Sequence, residues 1–349
     1  MQTFKIAGRK VGPGSPPYII AEISANHNHS ITEALDLISL AKQCGADAVK
    51  IQTYTPDTIT LDCASEYFRI GQGTIWEGKN LYQLYGEAYT PWEWHAELFA
   101  HAKEIGITLF SSPFDETAVD LLEKLDAPAY KIASFELVHL PLICRVAQTG
   151  KPIIMSTGMG SLREITEAVE AAREAGCREL ALLKCTSAYP APPEEANLRT
   201  VTHLADTFGV PAGLSDHTMG SATAVASICL GGCIIEKHFT KSRAVSGPDS
   251  SFSMEPAEFK TMVDDVRTAE KALGRVSYEL TAKEEASRVF RRSIFVVKDI
   301  AEGDEITSEN IRIIRPGHGL APRHWKRMLG RTAARPLRRG EPLKMEDIQ

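Results

Sequence analysis

The sequence lacks any hydrophobic run long enough to cross a membrane as a helix. Its best candidate, residues 222–235, is shorter than the roughly 20 residues that a membrane span needs, and it ends in a Glu-Lys-His cluster. The first ten residues, MQTFKIAGRK, have no apolar segment behind their basic side chains, so we expect no secretory signal. The sequence therefore predicts a soluble, cytoplasmic protein without a membrane partner.

Cysteine is scarce and shows no pairing pattern. The 7 cysteines among 349 residues are an odd number and are scattered along the chain, which favours reduced thiols over a disulfide framework. Cys229 and Cys233 are four positions apart, but no second close pair of Cys or His completes a zinc site. We therefore predict that both are buried small apolar residues.

Neither sign of charge dominates the composition, but the two signs are unevenly distributed. The whole chain has a net charge of −6, whereas residues 288–349 hold 14 Lys and Arg against 8 Asp and Glu. This indicates a basic C-terminal module that faces an acidic body or an anionic substrate. Acidic residues interrupt the basic ones and no aromatic platform accompanies them, so we expect no nucleic-acid partner.

Short apolar segments alternate with helix-like segments along most of the chain. The apolar segments are near-continuous runs, as in parallel strands that are covered on both faces, and the segments between them carry apolar residues at three-to-four spacing. Eight βα units predict a (β/α)8 TIM barrel. A doubly wound sheet is the alternative, but the chain has no GxGxxG or GxxxxGKS/T phosphate loop. The predicted strands are 18–24, 48–53, 108–113, 129–134, 152–158, 180–185, 211–216 and 233–239.

The barrel accounts for only part of the chain. We predict a barrel domain over residues 1–274, a linker over 275–287 and a small β-rich domain over 288–349. Within the barrel, residues 54–92 form a long insertion rich in Tyr, Trp and Gly. Long loops inside compact domains are usually functional, so this insertion is a candidate lid or substrate-recognition loop. A surface excursion packed by its own aromatic side chains is the alternative.

Polar residues end nearly every predicted strand, which is where (β/α)8 barrels have their active sites. His217 and His238 follow adjacent strands and are the best candidate metal ligands, because imidazole suits divalent ions such as Mn²⁺, Zn²⁺ or Fe²⁺. Asp216 and Glu236 beside them are candidates for orienting a ring or completing the ligand shell. Two ordinary hydrogen-bonded histidines are the alternative interpretation.

Four lysines lie within the apolar strands, where an unpaired charge would be costly. Strand alternation turns some of them inward, and inward lysines with nearby serines suit a ligand that carries phosphate and carboxylate. Pairing across the barrel with Glu22 or Glu136 is the structural alternative, and a Schiff-base aldolase with a lysine nucleophile is the catalytic one. The lysines are Lys50, Lys131, Lys184 and Lys237.

Motifs along essentially the whole chain resemble one known family. They are, in order, AEISANHNH, VKIQT, FSSPFD, KIASFE, MSTGM, TSAYPAP, GLSDHT, IIEKHF, GPDSSFSMEP, RRSI and RPGHG. Together they resemble the sialic acid synthase family, in which a (β/α)8 barrel is joined to a C-terminal antifreeze-like (SAF) domain. The resemblance implies a domain-swapped homodimer in which the small domain covers the partner's active site. It also implies condensation of phosphoenolpyruvate with an N-acetylated amino sugar and release of phosphate.

The resemblance further implies roles for individual residues. His217 and His238 would bind Mn²⁺, which would polarise the sugar aldehyde. Catalysis would fall to Glu22, Lys131 and Glu136, with Glu136 as the acid–base residue. Ser187 stands where the N-acetylneuraminate branch has Asn. Phosphoenolpyruvate would be held by Lys50, Ser112, Lys131, Ser134, Ser156, Ser187 and Ser215. The sugar would be held by Glu22, Gln52, Tyr189, Glu236, Asp249 and Arg315 of the partner subunit.

Three segments resemble one branch of that family more closely, the branch that makes pseudaminic acid. They are SFE after Lys131, GQGTIWEGKNLYQLYGEAYTPWEWH and GPDSSFSMEP. That branch uses 2,4-diacetamido-2,4,6-trideoxy-L-altrose, and the aromatic insertion would then form a wall for its methyl or second acetamido group. The same chemistry directed to N-acetylneuraminate or legionaminate is the alternative.

Overall fold

The computed structural model describes residues 3–71, 73 and 75–349, and the chain divides into two compact units, Met1–Gly274 and Arg275–Gln349. The strands of the first unit are β1 (Phe4–Ile6), β2 (Arg9–Val11), β3 (Tyr18–Glu22), β4 (Ala48–Thr53), β5 (Thr108–Pro113), β6 (Tyr130–Ile132), β7 (Ile153–Ser156), β8 (Leu180–Cys185), β9 (Ala212–Asp216) and β10 (Ile234–His238). Each strand from β3 to β9 pairs in parallel with the next, and β10 pairs with β3 to close the ring. The predicted (β/α)8 barrel is therefore confirmed.

Helices connect the barrel strands and cover their outer faces. They are α1 (Ile31–Gln43), α2 (Pro56–Ile59), α3 (Leu81–Ala88), α4 (His95–Ile105), α5 (Glu116–Lys124), α6 (Leu140–Ala147), α7 (Leu162–Glu174), α8 (Arg199–Phe208), α9 (Ala222–Cys229) and α10 (Pro256–Leu273). Helix α7 shows why these segments are helical. Ser161 and Glu164 form a reciprocal capping box at its start, and the apolar residues at three-to-four spacing are buried against the barrel.

The base of the barrel is filled by apolar side chains. The hairpin β1–β2, which the sequence patterns did not predict, adds Phe4, Ile6 and Val11 to the same buried cluster as interior residues such as Tyr18 and Phe110. Apolar packing therefore occupies the end of the barrel where the strands begin. The polar residues that end the strands lie at the opposite, C-terminal mouth.

The insertion between β4 and α4, residues 54–92, contains helices α2 and α3. Between these helices, residues 69–80 form a loop whose two arms are joined by backbone hydrogen bonds from Ile70 to Lys79 and from Gly78 to Ile70. Gln72 and Thr74 lie outside the described residues. The described part of the insertion is thus a folded segment.

The second unit has its own small core. It contains α11 (Ala282–Ser287), β11 (Ser293–Val296), β12 (Ile311–Ile314) and α12 (Trp325–Met328), and β11 pairs antiparallel with β12. Buried Ile294, Ile306 and Leu343 belong to one apolar cluster in this unit. Residues 275–287, predicted to be a linker, group with this unit, and all their side chains are exposed.

The structure also bears on the predictions about the cysteines and about a membrane-spanning helix. All seven cysteines are free, and Cys233 is buried, but Cys229 is exposed at the end of α9, so its predicted burial is wrong. The buried face of α9 is formed by Thr223, Ala224, Ser227 and Ile228, and Cys229 lies outside it. Within residues 3–71, 73 and 75–349, no helix combines the length and apolar character that a membrane span requires.

Candidate active site

Strand alternation carries a set of polar side chains into the barrel mouth. Glu22, Lys50, Ser112, Lys131 and Ser156 each lie two positions after an interior apolar residue of the basal cluster, so they share its inward direction. The register pairs Glu22 with Lys50 across β3 and β4, and Gln52 with Ser112 across β4 and β5. Residues from separate strands thus meet in one layer above the apolar base.

Two lysines and two glutamates form the charged centre of this layer. Lys50 Nζ lies 2.6 Å from Glu22 Oε2 and 3.6 Å from Glu236 Oε1, and Lys131 Nζ lies 3.2 Å from the same Glu236 oxygen. All four side chains are buried. Buried ions of this kind persist only when they are paired, and here each cation has a carboxylate partner.

The charges of this quartet shift one another's pKa values. Burial would lower the pKa of Lys50, but Glu22 and Glu236 raise it above its ordinary value. Burial lowers the pKa of Lys131, and Glu236 only partly opposes this. Burial would raise the pKa of Glu236, but Lys131 and Lys50 hold it below its ordinary value, whereas burial raises that of Glu22 against the opposing charge of Lys50. Lys50 therefore retains its proton, and with it its positive charge, more strongly than Lys131 does.

Hydroxyl groups surround the quartet. Lys50 Nζ donates to Ser112 Oγ at 3.2 Å, and Ser215 Oγ donates to Glu236 Oε1 at 3.3 Å. Ser134 Oγ accepts from the backbone N–H of Gly158 at 3.1 Å. A Cβ on Gly158 would lie 2.2 Å from Ser187 Oγ, so the absence of a side chain at that position lets two predicted serines approach the end of β7.

Several buried polar atoms at this mouth have no hydrogen-bond partner within the described part of the chain. They are Glu136 Oε2, Ser156 Oγ, Glu236 Oε2 and His238 Nδ1. Buried polar atoms are nearly always satisfied in folded proteins, and leaving one unsatisfied costs free energy. Their concentration at predicted site residues indicates a place built to receive a polar ligand.

Glu136 follows β6 and has the properties of an acid–base residue. Burial raises the pKa of its carboxyl to about 7, although a backbone hydrogen bond and the charges of Lys131 and Lys50 act in the opposite direction. A carboxyl with a pKa near neutrality exchanges protons readily at physiological pH.

His217 and His238 lie side by side, with ring centroids 5.3 Å apart. Nδ1 of His217 lies 2.9 Å from the Thr186 carbonyl oxygen; because a carbonyl can only accept, Nδ1 is the donor and, in the neutral ring, Nε2 carries the lone pair. Burial lowers the pKa of His238 well below its ordinary value, and His217 and the nearby lysines add to this, so its ring stays neutral. Burial would lower the pKa of His217, but Cys185 and the Thr186 carbonyl raise it above its ordinary value, so this ring offers a lone pair only in its neutral form. A buried Nδ1 of His238 lacks a protein partner within the described residues.

These two rings fit a divalent metal that has open positions for substrate. Within the described residues, no group of three or more His, Cys, Asp and Glu is arranged as a complete ligand shell. Asp216, a candidate partner of His217, instead pairs with Lys237 at 2.8 Å on the outer side of the barrel, and Glu236 pairs with the lysines. Both carboxylates are therefore already paired with lysine side chains.

A second group of side chains lines the mouth beside the quartet. Gln52 Nε2 donates to Glu22 Oε1 and to Ser24 Oγ, both at 3.0 Å, and Ser24 Oγ donates to Asp249. Burial raises the pKa of Asp249. This chain of contacts brings the predicted sugar-binding residues of β3, β4 and the loop after β10 together.

Aromatic rings continue this lining from the histidines outward. The Tyr189 ring lies 4.3 Å from that of His217 and 5.0 Å from that of Phe252. Trp76 of the insertion lies 5.6 Å from Tyr189. Tyr189 is thus at the meeting point of the histidine pair and the aromatic insertion.

Within the first unit, two of the predicted lysines point away from this mouth. Lys184 donates to Thr186 Oγ1 at 3.1 Å and Lys237 pairs with Asp216, because strand alternation turns both outward. Arg315 is exposed in the second unit. The other predicted residues all belong to the first unit.

Sequence reasoning missed Cys185, Ser24 and Phe252. Cys185 Sγ lies 3.9 Å from His217 Nδ1, and although burial alone would raise the pKa of the thiol, His217 lowers it to about 6. The alternation of β8 could have found it, since Cys185 lies two positions after the interior residue Leu183. Ser24 has a positive φ of 40°, which no sequence pattern shows.

Comparison with known proteins decides the family. The sequence model described as the NeuB family matches residues 37–278, and that of the SAF domain matches residues 291–349. The chain belongs to the NeuB family. The resemblance to the sialic acid synthase family and the presence of a C-terminal SAF domain are thereby confirmed.

Individual relatives cover nearly the whole chain. It is 45% identical over 335 residues to pseudaminic acid synthase of Helicobacter pylori, and the matched region covers 96% of this chain and 98% of that protein. It is 43% identical over 332 residues to pseudaminic acid synthase of Campylobacter jejuni, with coverage of 95% and 96%. The crystal structure of spore coat polysaccharide biosynthesis protein SpsE from Bacillus subtilis is 33% identical, with a TM-score of 0.68 over 100% of this chain and 99% of that one.

Proposed function

We propose that this protein is a pseudaminic acid synthase, which condenses phosphoenolpyruvate with 2,4-diacetamido-2,4,6-trideoxy-L-altrose and releases phosphate. The observation that carries the chemistry is the buried quartet of Lys50, Glu22, Glu236 and Lys131 beside the paired rings of His217 and His238. Identities of 43–45% to proteins of that name support the choice of sugar. Synthesis of N-acetylneuraminate or legionaminate by the same chemistry is the alternative.

The lysines and serines are suited to the anionic substrate. Lys50 and Lys131 supply positive charge, and Ser112, Ser134 and Ser156 place hydroxyl groups at neighbouring strand ends. Phosphoenolpyruvate carries a phosphate and a carboxylate, which such donors bind through charge-assisted hydrogen bonds. The same groups stabilise the phosphate as it leaves.

The reaction forms one carbon–carbon bond and breaks one carbon–oxygen bond. C3 of phosphoenolpyruvate attacks the aldehyde carbon of the open-chain sugar, whose oxygen takes up a proton. Water adds to C2 of the former phosphoenolpyruvate, and the C2–O bond to phosphate breaks to leave a 2-keto acid. A divalent metal such as Mn²⁺ would polarise the aldehyde when held by His217 and His238.

Glu136 is assigned the proton transfers. As a base, its carboxylate removes the proton from the anomeric hydroxyl of the cyclic sugar, which opens the ring to the aldehyde. The carboxyl passes this proton to the ring oxygen as the ring C–O bond breaks. In the condensation, the alkoxide formed from the aldehyde takes up the proton that the water adding to C2 gives up, again by way of Glu136. A pKa of about 7 suits both directions of transfer.

The proposal includes a homodimer in which the SAF domain of one subunit completes the other's site, and the family assignment supports it. Apolar side chains on two neighbouring loops at the barrel mouth support it: Phe135 and Val138 are 60% exposed and Met159 is 61% exposed. Grouped exposed apolar residues mark interaction surfaces. Arg315 of the partner subunit would then reach the N-acetyl group of the sugar.

Phosphate release tests this function. We expect Mn²⁺-dependent release from phosphoenolpyruvate with the diacetamido sugar and loss of release in EDTA. Greater release with N-acetylmannosamine would contradict the choice of sugar. Covalent trapping of a lysine by borohydride in the presence of substrate would instead support a Schiff-base aldolase.

A further inference from the structure

Trp76 of the aromatic insertion is hydrogen-bonded to another loop at the mouth of the barrel. The indole Nε1 of Trp76 donates to the Pro248 carbonyl at 2.9 Å. Trp76 follows β4 along the chain and Pro248 follows β10, so the contact joins two loops on opposite sides of β3. The insertion is therefore anchored to the loop that carries Asp249.

Other described residues of the insertion make contacts that support the position of Trp76. Asn80 Nδ2 donates to the Cys63 carbonyl at 2.8 Å, and the backbone of Ile70 bonds to that of Lys79 at 2.9 Å. His29, which follows β3, contacts the Gly86 carbonyl of α3 at 2.9 Å. These contacts tie the insertion to itself and to a second loop of the mouth.

Trp76 extends the row of aromatic rings that begins at the histidine pair. Its ring is half-buried, next to Tyr189, whose own ring lies against His217. The ring centroid of Phe252 lies 5.0 Å from those of both Tyr189 and His238, so Phe252 belongs to the same group of rings. A ligand held at the histidine pair and the lysine–glutamate quartet thus has an aromatic wall along one side.

We propose that Trp76 is a specificity-determining residue that packs against the apolar surface of the amino sugar. This inference rests on the proposed function and adds to it the side chain that recognises the sugar class. An indole ring favours contact with methyl and C–H groups, and it cannot satisfy a hydroxyl that has lost its water. The wall therefore selects a sugar that carries deoxy and acetamido groups where other sugars carry hydroxyls.

The chemistry of the competing sugars explains why one indole can discriminate. The diacetamido trideoxy sugar has a second acetamido group and a methyl group, whereas N-acetylmannosamine has hydroxyls at the corresponding carbons. A hydroxyl buried against an aromatic face loses hydrogen bonds to water, whereas a methyl gains apolar contact. Trp76 thus contributes to binding of the sugar and not to binding of phosphoenolpyruvate.

The test compares Trp76→Ala and Trp76→Phe with a matched control, Trp92→Phe. Trp92 Nε1 also donates to a backbone carbonyl, that of Tyr54 at 3.1 Å, so the control loses the same kind of hydrogen bond within the same insertion. In the full-length protein, Trp76→Ala should raise the KM for the diacetamido sugar roughly tenfold. The KM for phosphoenolpyruvate should stay within about twofold, and Trp76→Phe should show a smaller change in the same direction.

A binding measurement keeps the proposal testable if Trp76→Ala folds poorly. The diacetamido sugar should change the intrinsic tryptophan fluorescence of the wild type and of Trp92→Phe, but not that of Trp76→Phe. Unchanged KM values in Trp76→Ala, or an equal rise in both KM values, would overturn the proposal. So would a fluorescence response that persists in Trp76→Phe.

The proposed function can fail separately. It fails if the wild type releases no phosphate with the diacetamido sugar, and this result does not depend on any variant. The role of Trp76 fails if the wild type turns over that sugar and the variants match it.

Discussion

Individual residues in this site owe their chemistry to their surroundings. Glu136 is an ordinary carboxyl whose partial burial beside the mouth raises its pKa to about 7, while the more deeply buried Glu236 is kept ionised by two lysines. Environments that separate the pKa values of like groups separate their roles as well. Glu136 is thereby suited to proton transfer, and Glu236 to holding the lysines in place.

The pH dependence of turnover follows from the pKa of Glu136. The carboxyl is protonated below about pH 7 and ionised above it, and the base that opens the sugar is the ionised form. Activity should therefore rise as the pH increases through about 7. Glu136→Gln should lower kcat by about 100-fold or more and remove this rise, as measured by phosphate release across the pH range.

The matched control is Glu174→Gln, on the exposed end of α7. It should keep both the rate and the pH profile of the wild type. A Glu136→Gln variant with the same profile at a lower rate would show that another group titrates near neutral pH.

Metal binding is expected to depend on His238. Its ring is neutral and its buried Nδ1 has no protein partner within the described residues, so its loss removes a ligand and leaves the fold's hydrogen bonds intact. His238→Ala should weaken Mn²⁺ binding by more than about 100-fold, beyond the effect of losing an outer hydrogen-bond partner. Titration calorimetry with Mn²⁺ alone measures this. His101→Ala, on α4, should bind as the wild type does.

At the scale of elements, the end of β7 controls how closely the serines approach. A Cβ at Gly158 would lie 2.2 Å from Ser187 Oγ and 2.7 Å from Ser134 Oγ, so both hydroxyls would have to move. Gly158→Ala should raise the KM for phosphoenolpyruvate between about 10- and 100-fold. Gly86→Ala in α3 is the control, because its Cβ meets its nearest neighbour at 3.9 Å. Equal KM values in the two variants would contradict a role for these serines in binding.

The periodicity of apolar residues in the strands also explains which features of the fold can be predicted from the sequence. Eight buried strands, and the C-terminal mouth where polar residues collect, follow from apolar runs and barrel geometry. The direction of each lysine follows from counting two positions from an interior apolar residue, which turns Lys50 inward and Lys237 outward. The partners of Asp216 could not be predicted in this way, because its pairing with Lys237 depends on the register between β9 and β10.

Other features lie beyond sequence patterns because they depend on contacts distant in the chain. The bond from Trp76 to Pro248 spans 172 positions, and that from Ser24 to Asp249 spans 225. The hairpin β1–β2 is too short for its alternation to stand out. Tertiary packing, and not local preference, fixes each of these.

At the scale of the whole molecule, we expect the basic C-terminal unit of one subunit to act at the acidic barrel of the other. If Arg315 of the partner subunit completes the sugar site, two variants that are inactive alone should complement each other. Co-expressed Arg315→Ala and Glu136→Gln chains form mixed dimers that contain one intact site, so activity should recover to about a quarter of the wild type. No recovery, with mixed dimers verified by differential tags, would place Arg315 in its own subunit's site or outside catalysis.

The most direct test of the whole account is phosphate release from phosphoenolpyruvate by the full-length protein with Mn²⁺. The diacetamido trideoxy-altrose sugar and N-acetylmannosamine are compared, each with and without EDTA. The account predicts release with the diacetamido sugar, abolished by EDTA, and little with N-acetylmannosamine. Release that survives complete removal of metal, or that occurs only with N-acetylmannosamine, would contradict it.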